Sequence, residues 1–179
     1  MSARAPWMLA LAAASSTLLA LAPPALQMAG HPEPSWLIRL LLSPLCHQDP
    51  LRSFHVWGSP AALCARCLAV HAGVLAGALV LGALGAAVFR AARTPRNARI
   101  VLAVGAAPAA VQWLLARLLP GMPALDGNLP RAMTGLILGG SLAIVLAGAL
   151  DAILHRLPSP AAHVTRSPAQ GGVHAPAAD

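Results

Sequence analysis

Long apolar runs dominate the chain. Four of them reach the length of about 20 mostly apolar residues that a helix needs to cross a bilayer core. They run from about Trp7 to Gln27, Ala61 to Phe89, Ile100 to Leu119 and Ala132 to Leu150. Apolar residues follow one another without two-residue alternation, which selects helices over strands. In lipid every backbone polar group must be satisfied internally, so helices are the natural solution. The pattern therefore predicts an all-α integral membrane protein of four transmembrane helices. A fifth apolar run, Ser35 to Leu45, is too short to span and predicts an interfacial or re-entrant helix.

The first run has a second reading. Arg4 precedes it, and Ala20 and Ala22 resemble a signal-peptide cleavage site. Pro23 and Pro24 follow directly and should block cleavage, and the apolar run continues past them. Retention as a membrane helix is the expectation.

Composition agrees with a membrane protein. The chain is 58% apolar and 9% charged, with mean hydropathy +0.69. A soluble domain carries about 25% charged residues. The net charge of +7 does not indicate nucleic-acid binding, because its twelve basic residues are all Arg and are scattered. They set the topology instead. Arg90, Arg93, Arg96 and Arg99 crowd the loop after the second run, which places that loop inside. Alternation then gives N-in and C-in. Segments 29–60 and 120–130 face outward, on the periplasmic side if the membrane is a bacterial plasma membrane. The membrane domain is read as 1–155. Residues 156–179, rich in Pro, Ala and Gly and including His163 and His174, read as a disordered inner tail.

Gly73-x-x-x-Gly77, Gly82 and Gly85 lie in the second run, and Gly135-x-x-x-Gly139 in the fourth. Such spacing lets helix backbones approach closely, and a homodimer through these faces is one expectation. Pro108 should kink the third helix.

The chemistry concentrates in one segment. All three Cys lie between residues 46 and 67, as Cys46-His47, then sixteen residues, then Cys64-x-x-Cys67. Three thiolates and one imidazole form a Cys₃His set suited to structural zinc. Iron or copper accept similar ligands. Pro60 suits the first turn of the second helix. His71 shares a helical face with Cys64 and Cys67, and His55 or His71 are substitutes for His47. The helix N-terminus and Arg66 would lower thiol pKa values.

Two alternatives stay open. One is a structural disulfide. The other is thiol–disulfide exchange coupled to quinone. The layout resembles the four-helix membrane oxidoreductases that pass electrons from thiols to quinone, vitamin K epoxide reductase among them. Those use two cysteine pairs, and this chain has three Cys. A transporter is weaker, since the spans hold few polar residues beyond His71, Gln112, Thr134 and Ser141.

The other outer loop reads Asp126-Gly127-Asn128-Leu129-Pro130-Arg131, then Thr134-Gly135. An acid and an Arg there can pair, serve a metal or simply form a turn. Together with Cys46-His47-Gln48, Arg52-Ser53-Phe54 and Cys64-Ala65-Arg66-Cys67, this loop resembles the small membrane proteins called domain of unknown function 2085. The resemblance covers about residues 40–140. It implies a multi-pass membrane protein without assigning an activity. It marks Cys46, His47, Gln48, Arg52, Ser53, Cys64, Arg66, Cys67, Asp126, Asn128, Arg131 and Thr134. His71 stands where the family carries an aromatic hydroxyl. Gln48, Arg52, Ser53 and Arg66 would hold thiolate charge around a metal by hydrogen bonds. A Cys46, His47, Cys64, Cys67 zinc site is thus the favoured expectation. Were one position open, a bound water and Asp126 would suit hydrolysis. No substrate is indicated, and no enzyme is claimed.

Overall fold

The computed structural model describes residues 4–84, 94–119, 121–122, 125 and 127–156. Four long helices, α1 (Arg4–Met28), α3 (Ala65–Leu84), α4 (Pro95–Leu118) and α5 (Asn128–Arg156), are each long and apolar enough to cross a membrane. A short helix α2 (Pro32–Leu42) follows α1. A 3₁₀ turn (Pro50–Arg52) and two paired strands, β1 (His55–Val56) and β2 (Ser59–Pro60), complete the connection to α3.

The boundaries differ from the hydropathy limits for local reasons. α4 begins at Pro95 because the Thr94 hydroxyl accepts the Asn97 N–H at 3.3 Å, and Pro95 suits the first turn. α3 begins at Ala65, so Pro60 is not in its first turn. Pro60 instead ends the β-hairpin, whose Trp57-Gly58 turn has positive φ at both residues. α5 extends to Arg156. The part of the second run beyond Leu84, with Gly85, and the tail from residue 157 lie outside the described residues.

α3 and α5 form the centre of the bundle, with α1 on the α3 side and α4 on the α5 side. A Cβ added at Gly73 would lie 2.5 Å from the Leu136 carbonyl oxygen, and one at Gly135 would lie 2.5 Å from that of Arg66. Gly77 faces Ala143, and Gly139 meets the Val70 carbonyl and Gly73. The two glycine motifs therefore face each other inside one chain.

α1 runs against α3, and the Ser16 hydroxyl pairs with His71 Nδ1 at 2.8 Å across that interface. α2 buries Ser35 and Leu42 and exposes Trp36, Leu37, Leu40 and Leu41. An apolar face of that kind on an 11-residue helix suits the membrane interface.

Candidate metal centre

Two separate stretches of the chain build the site. Cys46 lies four residues past α2, Cys64 immediately precedes α3, and Cys67 lies in its first turn. Their sulfur atoms all lie within 4.8 Å of one another. All three are free thiols. Tetrahedral zinc with Zn–S bonds of about 2.3 Å sets its sulfurs about 3.8 Å apart. The thiols thus stand within about 1 Å of a ligating spacing.

The surroundings are apolar. Cys46 packs with Ala20 of α1, Leu42 of α2, and Ala62 and Leu63, while Cys64, Cys67 and Leu68 close the cluster. Ala61, Ala62 and Leu63 are fully buried. Their backbone would be stranded without partners, and it finds them. The Ala62 N–H donates to the Ala20 carbonyl at 2.9 Å, and the Ala61 N–H to that of Phe54 at 2.8 Å. Arg39 donates from its guanidinium to the Pro60 carbonyl, and to that of Ala61 at 3.4 Å.

Backbone donors converge on the sulfurs. The Cys64 N–H points to Cys46 Sγ at 3.3 Å and the Gln48 N–H to the same sulfur at 3.5 Å. Gln48 takes a positive φ of 53° to present it. Its side-chain amide donates to the Arg39 carbonyl at 2.6 Å, tying the loop back to α2. Cys64 is held down to about 5, chiefly by the hydrogen bond from the Cys67 thiol. Partial burial opposes this, while the Cys46 thiol and the N–H groups of Cys67 and Arg66 add to it. Arg66 therefore acts on the thiol through its backbone. Its guanidinium donates to Gln112 Oε1 on α4.

The remaining marked residues divide into two groups. Arg52 pairs with Asp49 at 3.2 Å, and the Ser53 hydroxyl donates to the Asp49 carbonyl at 2.8 Å. Asn128 donates to the Ser53 carbonyl at 3.1 Å, joining the cysteine loop to the start of α5. Arg131 is buried beside it. Thr134 turns inward on its own helix, donating to the Pro130 and Arg131 carbonyls. His47 and His55 are exposed, and neither joins the sulfur group. His71 is engaged by Ser16 on α1. Asp126 lies outside the described residues.

The sequence gives Arg39 only as a member of the short run Ser35 to Leu45, and Gln112 only as a polar residue in a span. Each was a lone polar group in an apolar run, and that was the available signal. Gln112 is buried, accepts from Arg66 and donates to the Leu125 carbonyl. Asp151, buried near the far end of α5 and 3.4 Å from His155, lies away from the cysteines.

A four-helix membrane bundle with a thiol cluster at one end defines a class of small multi-pass membrane proteins. Residues 46–145, more than half of the 179-residue chain, match the family described as "Predicted membrane protein (DUF2085)", and the chain belongs to that family. It is also similar to an uncharacterised protein of Methanocaldococcus jannaschii, 47% identical over 36 residues. That stretch is 20% of this chain and 23% of the relative, so the chain spans about a quarter of that protein's length. No solved structure matches significantly.

Proposed function

We propose that this protein is a membrane metalloprotein in which Cys46, Cys64 and Cys67 hold one divalent ion, zinc by preference, with His47 as the fourth ligand. The observation that carries the reading is the convergence of three sulfurs within 4.8 Å of one another in an apolar cluster. Thiolates are soft ligands and favour zinc, though iron and copper share that preference. His47 follows Cys46 directly, and its exposed ring is not held by packing. The arginine-rich loop at the other end of the bundle supports placing the site on the outer, periplasmic side of a bacterial plasma membrane.

The experiment is anaerobic purification in detergent, with metal quantified by mass spectrometry and free thiols counted on the same sample. About one zinc per chain, lost in Cys46→Ser and Cys64→Ser, is the expected result. Absence of metal from wild type would overturn the reading.

A second reading rests on the same cluster. Cys64 is the low-pKa member of a Cys-x-x-Cys pair, the residue that attacks in dithiol chemistry. Oxidation of Cys64 and Cys67 to a disulfide releases two electrons and two protons, which a membrane quinone would accept as quinol. Two thiols oxidised together and recovered by reductant, with no metal, would favour this reading.

A further inference from the structure

At the same end of the bundle a partly enclosed cavity of about 300 Å³ is lined by four arginines. Arg52 comes from the 3₁₀ turn, Arg66 from the first turn of α3, Arg117 from the last turn of α4 and Arg131 from the first turn of α5. Gln112 and Trp113 complete the polar lining. We propose that this cavity binds the phosphate group of a small ligand or a phospholipid headgroup. The site is distinct from the metal centre and does not depend on it.

Charge carries the argument. Arginine stays ionised in any protein environment. The chain has five acids; of the three in the segments joining this end of the bundle, Glu33 lies on α2 and does not line the cavity, which leaves Asp49 and Asp126. Asp49 already pairs with Arg52. With both acids set against four guanidiniums, at least two positive charges remain. Leaving them so close together in a partly enclosed space is unfavourable unless an anion enters.

Geometry adds to this. The buried Arg66 Nε has no hydrogen-bond partner among the described residues. Gln112 fixes the other side of that guanidinium through Arg66 Nη2. Arg117 lies over the Trp113 ring at 5.7 Å, which restrains it at the rim. Arginine forks match phosphate oxygens in a bidentate manner. A volume of about 300 Å³ is at the lower end of ligand pockets, enough for a headgroup or a small phosphate ester.

The test uses the full chain, purified in zwitterionic detergent and stripped of lipid. Inorganic phosphate is titrated calorimetrically, and phosphatidylglycerol is added against phosphatidylcholine under native mass spectrometry. Three variants are compared: Arg117→Gln, Arg66→Gln and, as a control at the opposite end of α4, Arg96→Gln. Arg117 is exposed, so its variant keeps the fold if Arg66→Gln does not. The expected result is binding weakened at least tenfold in Arg117→Gln and unchanged in Arg96→Gln. Selective retention of phosphatidylglycerol without phosphate binding identifies a headgroup as the source. Binding of inorganic phosphate identifies a soluble ligand. Failure of both probes, or equal loss in Arg96→Gln and Arg117→Gln, overturns the proposal.

Discussion

The carbonyl oxygen of Ala20, in the middle of a membrane helix, accepts the backbone N–H of Ala62 at 2.9 Å. Inside a helix that oxygen belongs to the residue four positions on. Here that residue is Pro24, which has no N–H to give. The proline releases an acceptor, and the segment leading to Cys64 takes it. Both Pro23 and Pro24 are buried, and Ala20 is itself a wall of the thiol cluster.

Restoring the helix should therefore loosen the site. In Pro24→Ala the new N–H competes for the Ala20 carbonyl. Amide exchange at Ala62 is expected to accelerate several-fold, measured by hydrogen–deuterium exchange in detergent, although the substitution favours the helix. Unchanged protection at Ala62 would refute the link.

The Cys64 thiol, held down to about 5, should show itself in the metal-free protein. Below its folded pKa the thiolate is lost, and above it the thiolate is complete. The rate of iodoacetamide alkylation at Cys64 is expected to stay flat from pH 8 to 6. It should then fall as the pH passes through about 5. An ordinary thiol of pKa about 8.5 would slow about 75-fold between pH 8 and 6. Peptide mapping by mass spectrometry separates the three sites.

Two adjacent glycines should behave oppositely. A Cβ at Gly139 collides with the Val70 carbonyl, whereas one at Gly140 meets nothing within 4 Å. Gly139→Ala is expected to lose about 1–3 kcal/mol by overpacking. Gly140→Ala should gain up to about 1 kcal/mol of helix propensity. Thermal unfolding followed by circular dichroism in detergent distinguishes them.

Gln112→Leu removes the acceptor for Arg66 and the donor to Leu125 together. Losing a hydrogen bond to a charged group amounts to about 1.5–3 kcal/mol. A Tm lower by several degrees is expected, together with weaker phosphate-group binding if Arg66 swings away. An unaltered Tm would argue that the amide is incidental.

The spans were legible because lipid imposes one demand, a long apolar run, and the chain meets it four times. The cysteine cluster was legible because Cys64 and Cys67 sit one turn apart and Cys46 is the only other thiol. The rest depended on neighbours that spacing does not reveal. Helical periodicity put His71 on the cysteine side of α3, but Ser16 of α1 occupies its ring. Glycine spacing announced close contact without naming the partner, which is α5 of the same chain. Pro60 looked like a helix start because a hairpin only two residues long per strand leaves almost no pattern. Arg117 belongs with Arg66 only because the end of α4 comes beside the start of α3.

Gly135 presses on the carbonyl of Arg66, one of the two residues between Cys64 and Cys67. That contact is with main chain, so no side-chain change at position 66 can relieve a larger residue at position 135. A lineage that loses this glycine has no compensating substitution within the pair and must move a whole helix. The cysteine motif and the start of the last span, nearly seventy positions apart, are on this account inherited as one part.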